Sequence, residues 1–173
     1  NLRLSLVFMG SRILVHCDLD AFYAAVETLH HNLDPDIPLI LGSDPKGGTG
    51  RGIVSTCNYA ARKYGIRSAM PIGEAWRRCP GPPHGNGHYL KSTRGLYARA
   101  SRKVMEILAK NADKFEQASI DEAYLDVTDI CENNWDTALA LTKNLQSEIM
   151  DTLGLSTSLS LIHISEPTRQ DRI

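Results

Sequence analysis

Three carboxylates are the first candidates for chemistry in this chain. Asp121 and Glu122 are adjacent in QASIDEAYLD (117–126), between two short apolar runs, and Asp18 ends an apolar run far upstream. Charged groups are seldom placed among apolar residues unless something positive meets them. If the three lie together, each pair at ~4 Å repels by about 4 kcal/mol, which divalent cations would offset. The alternative, a solvated turn rich in Asp and Glu, stays open on spacing alone.

The pattern of apolar residues predicts the elements that must position these acids. In chain order they are a strand over 12–20, a helix over 21–32, strands over 37–43 and 52–59, helical segments over 60–65 and 71–79, a helix over 92–111, a hairpin over 114–129, a helix over 133–153 and a strand from 155–160 onward. The first helix is expected to turn Phe22, Ala25, Val26 and Leu29 inward. Without the segment inserted after this helix, the order is that of a ferredoxin-like sheet, so the fold class is α+β.

The net charge of -1 conceals a strong asymmetry. Residues 51–110 contain twelve Lys and Arg but only Glu74 and Glu106 as acids, a local charge of +10. A basic segment of this kind indicates a polyanionic partner such as nucleic acid or nucleotide phosphates. A solvated helix face is the alternative reading of the same charges.

The cysteines and the apolar runs indicate the compartment. Four cysteines are scattered with no CxxC pair, which argues against a zinc site or a disulfide framework and is typical of a reduced cytoplasmic protein. No apolar run approaches the ~20 residues of a membrane span, so we expect no membrane partner.

Three segments together resemble a known enzyme family. CDLDAFYAAVE (17–27), STCNYAARKYGIRSAMPI (55–72) and ASIDEAYLDVTD (118–129) resemble the Y-family translesion DNA polymerases, most of all the DNA polymerase IV branch. The resemblance implies a lesion-bypass, DNA-directed DNA polymerase of DNA repair, with two Mg²⁺ ions as cofactors. It implies a palm over 12–30 and 92–160 and an inserted fingers domain over 31–91.

The resemblance also implies two sets of site residues. The metal ligands would be Asp18, Asp121, Glu122 and the carbonyl of Leu19, and the three acids would be the catalytic residues. The nucleotide-binding residues would be Phe22, Tyr23, Thr56, Tyr59 and Arg62.

Each nucleotide-binding residue has an implied role. Tyr23 would be the steric gate, because a ribose 2′-OH would collide with its ring, and Phe22 would stack beside it. Tyr59 and Arg62 would hold the triphosphate through hydrogen bonds, for which the planar guanidinium is well suited. Thr56, on the preceding strand, would face the nucleotide. The partners implied are primer–template DNA and deoxynucleoside triphosphates.

The two ends of the chain depart from the family pattern. Residues 1–11 are interpreted as a non-native or disordered leader, and residues 161–173 as a non-native tail in place of the thumb and little-finger domains. A sliding clamp would bind through the missing C-terminal part. Because phosphate contacts dominate affinity for DNA, we expect this chain alone to be weakly active or inactive.

Three other readings stay open. A palm-type nucleotidyl cyclase also carries acids on a strand and a hairpin, but it does not require Tyr23 or an inserted fingers segment. A non-catalytic, polymerase-like scaffold in DNA repair would not need all three acids. A nucleotide-sugar transferase would explain CDLD alone.

Overall fold

The computed structural model describes residues 11–164, which form two β-sheets and five α-helices. The strands are β1 (Arg12–Leu19), β2 (Leu39–Gly42), β3 (Val54–Cys57), β4 (His88–Leu90), β5 (Lys114–Gln117), β6 (Glu122–Asp126) and β7 (Thr157–Ile164). The helices are α1 (Phe22–His30), α2 (Tyr59–Arg62), α3 (Ile72–Arg78), α4 (Leu96–Lys110) and α5 (Trp135–Leu153). The predicted α+β class is confirmed.

The first sheet has the strand order β5-β6-β1-β7, with every neighbouring pair antiparallel. This is the order that a split βαβ topology produces, so the ferredoxin-like arrangement expected from the sequence is confirmed. Strand β1 is central, and its neighbours β6 and β7 both come from the second half of the chain. The sheet therefore assembles only when distant parts of the sequence meet.

Alternation along β1 separates a core face from an open face. Ile13, Val15, Cys17 and Leu19 are all buried, whereas Asp18 between the last two is exposed. Since successive side chains of a strand point to opposite sides, the apolar set packs in one cluster with residues of α1, α4 and α5. The remaining side chains of β1, Asp18 among them, lie on the face of the sheet that the helices leave open.

The inserted segment forms the second sheet, of order β3-β2-β4, with α2 and α3 packed on it. It has a separate apolar cluster that includes Ile40, Val54, Ile66 and Ile72. Strand β4, which runs parallel to β2, was not predicted, because three residues are too few to show a period of two. A second core of its own is consistent with the predicted insertion.

Helix α1 differs from its predicted orientation. Leu29, expected on the inward face, is 48% exposed, and Glu27 is fully buried in its place. The reason is a set of hydrogen bonds to the Glu27 carboxylate from residues far along the chain, which a local apolar pattern does not reveal.

The last strand runs further than expected. It pairs with β1 from Leu19 opposite Thr157 to Arg12 opposite Ile164, so residues 161–164 continue the sheet. The predicted leader, apart from Ser11, and the rest of the predicted tail lie outside the described residues. Among the helices of residues 11–164, none combines the length and apolar character needed to cross a membrane.

Candidate active site

The pairing of β1 with β6 brings the three predicted acids together. Asp18 lies directly opposite Glu122 in the register, and the next pair joins Leu19 N–H to the carbonyl oxygen of Asp121 at 3.0 Å. Because Leu19 and Asp121 form a hydrogen-bonded pair, Asp18 and Glu122 form a non-hydrogen-bonded pair, whose Cα atoms approach to about 4.5 Å. Segments more than 100 residues apart in the chain are thus in contact at the predicted acids.

Ser119 shapes the turn that presents two of these acids. Its hydroxyl accepts hydrogen bonds from the backbone N–H groups of Asp121 (3.2 Å) and Glu122 (3.0 Å) and donates to Asp121 Oδ1 at 2.6 Å. Such a side-chain to backbone turn holds the chain out of the regular ladder at this point. The Ser119 hydroxyl thereby fixes the direction of the Asp121 carboxylate.

A residue in the left-handed backbone conformation connects β1 to α1. Ala21 has φ 44° and ψ 40°, a conformation that costs an L-residue roughly 1–2 kcal/mol. The turn redirects the chain immediately after Asp18 and Leu19, so that the first residues of α1 line the same cleft as the acids. Strain of this kind is retained where the surrounding structure requires it, commonly at functional sites.

Asn58 anchors the short helix that carries Tyr59 and Arg62. Its side-chain oxygen accepts from Ala61 N at 2.9 Å, which caps α2, and from Leu39 N at 3.0 Å. Its amide group donates to two backbone carbonyls of the segment before β2, the nearer of them Ile37 at 2.8 Å. One buried side chain therefore joins the start of α2 to β2.

A cleft of about 510 Å³ lies where the two halves of this site meet. Eight of the nine predicted site residues line it: Asp18, Leu19, Phe22, Tyr23, Thr56, Tyr59, Arg62 and Asp121. Glu122 is not among its lining residues, although it lies opposite Asp18. Sequence reasoning missed Asp20, Ala21, Ser55, Ser68 and Ser92, which also line the cleft. Of this set only Ser92 lies outside the three segments singled out in the sequence, but nothing in their residue types marked the other four as lining a site.

The two aromatic residues at the start of α1 are not equivalent. Both line the cleft, but Phe22 is only 2% exposed and belongs to the core, whereas Tyr23 is half-buried. Their ring centroids are 5.5 Å apart at an interplanar angle of 68°, an edge-to-face contact. In the same cleft, the guanidinium of Arg62 lies 5.2 Å from the centroid of the Tyr59 ring, and both side chains are exposed.

The acids match the chemistry of a hard divalent cation, although they are not arranged as ready-made ligands. Within residues 11–164, no three His, Cys, Asp or Glu side chains are grouped closely enough to hold a metal ion. Asp121 Oδ1 is hydrogen-bonded to Ser119, and Asp20 Oδ1 accepts from Ser158 at 2.8 Å. The three acids lie on two adjacent strands or directly before one of them and offer carboxylate oxygens, which are the type of ligand that Mg²⁺ binds.

The chain is similar to a known protein family over most of its length. The model of the impB/mucB/samB family matches residues 17–161. DNA polymerase IV of Methanoculleus marisnigri is 44% identical over 155 residues, covering 88% of this chain and 40% of that protein. DNA polymerase IV 2 of Methanosarcina mazei is 54% identical over 114 residues, covering 66% of this chain and 30% of that protein. The chain thus spans well under half the length of these relatives.

Solved structures agree with the sequence relatives. The insertion ternary complex of Dbh DNA polymerase has a TM-score of 0.77 at 33% identity, over 87% of this chain and 42% of that one. DinB from Sulfolobus solfataricus has a TM-score of 0.76 at 33% identity over the same shares of the two chains. The predicted resemblance to Y-family polymerases is confirmed: this chain belongs to the impB/mucB/samB family.

Proposed function

We propose that this chain forms the nucleotide- and metal-binding part of a lesion-bypass DNA polymerase, which adds deoxynucleotides to a primer by two-metal phosphoryl transfer. The observation that supports this most directly is the single cleft that collects eight of the nine predicted residues from two sheets. The chain is expected to be weakly active or inactive alone, because it spans only about 40% of the length of its relative from Methanoculleus marisnigri.

The acids form the metal end of the proposed site. Asp18, Asp121 and Glu122, with the carbonyl of Leu19, would hold two Mg²⁺ ions. When bound, such a pair of ions clamps the attacking and leaving oxygens of an in-line displacement. The contribution of this chain is to hold two carboxylates directly opposite each other and a third one residue away, with its direction set by Ser119. The domain division into palm (12–30 and 92–160) and fingers (31–91) follows from the same assignment.

The aromatic wall forms the sugar end. Tyr23, half-buried in the cleft, would lie under the deoxyribose and leave no space for a 2′-OH. Phe22 beneath it is fully packed in the core and contacts it edge-on. We assign Phe22 the part of a rigid support, because a side chain that is 2% exposed offers little surface to a ligand.

Basic residues would receive the phosphates. Arg62, on α2, lines the same cleft as Asp18 and Asp121 and, with Tyr59 and Thr56, would bind the triphosphate. An open depression of about 560 Å³ in the inserted segment brings Lys46, Arg51 and Lys91 together. We assign this surface to phosphates of the template strand, since clusters of Lys and Arg supply the non-specific part of DNA affinity.

Binding of dATP by this chain, measured calorimetrically with and without Mg²⁺, tests the proposal. We expect Mg²⁺-dependent binding that Asp18→Asn weakens at least tenfold and that Arg62→Ala weakens to a similar degree. Arg77→Ala is the matched control, because Arg77 is also an exposed basic residue of the inserted segment but does not line the cleft. Equal affinity in the wild type and Asp18→Asn would contradict the assignment of the acids.

The same samples separate polymerase from cyclase chemistry. Incubation of radiolabelled dATP with Mg²⁺ and no DNA should give no cyclic product. Formation of a cyclic nucleotide would favour the cyclase reading and overturn the polymerase proposal.

A further inference from the structure

Glu27 is a fully buried carboxylate that the proposed chemistry does not use. It accepts hydrogen bonds from Thr93 N at 2.6 Å, from Thr93 Oγ1 at 2.9 Å and from the hydroxyl of Tyr97, and His31 Nε2 lies 3.1 Å from its second oxygen. Burial acts to raise the pKa of Glu27, but the bonds from Tyr97 and Thr93 outweigh it, so the pKa lies below its ordinary value. The group is therefore ionised at neutral pH.

Tyr97 connects this carboxylate to the cleft. The ring of Tyr97 packs edge-to-face on that of Tyr23, with centroids 4.6 Å apart and an interplanar angle of 64°, and lies 6.4 Å from that of Phe22. Tyr97 is 9% exposed and its hydroxyl donates to Glu27. The carboxylate thus fixes the position of one ring, and that ring supports the side of Tyr23 that faces away from solvent.

The same carboxylate holds the segment that leads into α4. Both hydrogen bonds from Thr93 end on Glu27, and the preceding residue, Ser92, lines the cleft with Tyr23. Glu27 lies one helical turn after Tyr23 on α1, and its bonds to Thr93 join α1 to the segment that leads into α4. Hydrogen bonds to an ionised acceptor in a buried site are among the stronger ones, and loss of one leaves costly unpaired groups.

We infer that Glu27 is a positioning residue for sugar selection: through Tyr97 and Thr93 it holds the Tyr23 ring and the Ser92 segment in the arrangement that excludes a ribonucleotide. This inference rests on the proposed function, because it takes the cleft to bind a nucleoside triphosphate with its sugar at Tyr23. Glu27 itself contacts no substrate in this arrangement. Its effect would appear as a change in selectivity between two nucleotides that differ by one hydroxyl.

The test compares the dissociation constants of dATP and ATP for the whole chain in Mg²⁺. We expect the wild type to prefer dATP, and expect Glu27→Gln and Tyr97→Phe each to reduce that preference at least threefold. Tyr97→Phe is the milder variant, since it keeps the ring and removes only the hydroxyl. Glu74→Gln is the control, because Glu74 lies on α3 outside this network and forms an ion pair with Arg78 on the same helix.

A double-mutant cycle distinguishes positioning from general support of the fold. In a Tyr23→Ala background the preference should already be lost, and adding Glu27→Gln should then change it less than 1.5-fold. An unchanged preference in folded Glu27→Gln and Tyr97→Phe overturns this inference alone. Independent, additive effects of Tyr23→Ala and Glu27→Gln also overturn it. If the wild type binds neither nucleotide, the proposed function fails, and this inference fails with it.

Discussion

Asp18 and Glu122 lie directly opposite each other in a non-hydrogen-bonded pair of β1 and β6, on the open face of the ferredoxin-like sheet. This is the closer of the two antiparallel pair types, and like charges directly opposite are destabilising. The fold thus brings together two groups that repel each other in the absence of a cation. Removal of one of these two charges should therefore raise the stability of the metal-free chain and weaken its binding of cations.

Removal of one charge of this pair should stabilise the metal-free chain. In EDTA, Glu122→Gln is expected to raise the free energy of unfolding by about 0.2–1 kcal/mol, because it ends a like-charge contact across the strands. Addition of Mg²⁺ should then stabilise the wild type but not the variant, since a ligand stabilises only the state that binds it. Urea unfolding with and without Mg²⁺ measures both effects.

Glu116→Gln is the control for that experiment. Glu116 is an exposed acid on β5, and its partner in the register is Tyr124 rather than an acid. This variant should respond to Mg²⁺ like the wild type. A Glu122→Gln chain that is less stable in EDTA and still stabilised by Mg²⁺ would show that the opposed acids do not form the cation site.

Apolar periodicity predicted the sheet, and the resemblance to the Y-family polymerases predicted that these acids meet in it, whereas their spacing alone left a solvated turn open. A strand ending in Asp18 and a hairpin carrying Asp121 and Glu122 have one low-energy arrangement in a split βαβ sheet, because the apolar face of each strand must be buried. Alternation of apolar residues is a local signal, and the ferredoxin-like order follows from it. The predicted fold agrees with the structure, and eight of the nine predicted site residues line one cleft.

What the sequence did not predict depends on contacts between distant residues. Glu27 is buried because Thr93 and Tyr97, 66 and 70 residues away, donate to it, and no periodicity within α1 shows this. Its burial in turn leaves Leu29 exposed. The left-handed turn at Ala21 was hidden for a different reason: alanine normally favours helix, so the residue type does not indicate a positive φ. In both cases the tertiary structure overrides a local preference.

Asn58 should be far more important to stability than an ordinary helix cap. Asn58→Ala removes four hydrogen bonds, three of them to buried or part-buried groups in and before β2, so we expect a loss of about 3 kcal/mol. Asn134 provides the comparison, because its side chain caps α5 through Thr137 N alone and is exposed. Asn134→Ala should cost about 1 kcal/mol in denaturant unfolding. Equal losses in the two variants would mean that the bonds to the β2 segment contribute nothing.

The thiol of Cys17, buried beneath the acids, should make the fold sensitive to alkali. Burial raises its pKa from 9.0 to about 11; the hydrogen bond with Thr157 opposes this shift, while the charges of Asp18 and Asp20 add to it. Since the folded state keeps the proton more firmly than the unfolded state, this stability is complete below pH 9 and is lost as the pH rises through 11. The loss attributable to Cys17 is on the order of 2 kcal/mol.

Unfolding free energies of the wild type and Cys17→Ala between pH 8 and 11 measure this contribution. The wild type should lose stability more steeply than the variant over this range. Cys57, Cys79 and Cys131 also have raised pKa values because of burial, so the variant should keep part of the slope. Parallel curves for the two chains would show that Cys17 ionises equally easily in both states.

Ala21 offers a test of strain at the site. Alanine at φ 44° is strained by roughly 1–2 kcal/mol, whereas glycine adopts this angle without steric cost. The larger loss of backbone entropy on folding of glycine, about 0.5–1 kcal/mol, opposes this gain. Ala21→Gly should therefore be neutral or up to about 1 kcal/mol more stable. The same substitution at Ala100, inside α4, should cost about 1 kcal/mol. Thermal unfolding of both variants measures the difference, and an equal loss of stability at the two positions would exclude strain at Ala21.

The strained turn also has an expected effect on binding. The Ala21→Gly chain should bind dATP less tightly than the wild type, because a flexible turn no longer holds the Tyr23 ring in its position in the cleft before the nucleotide binds.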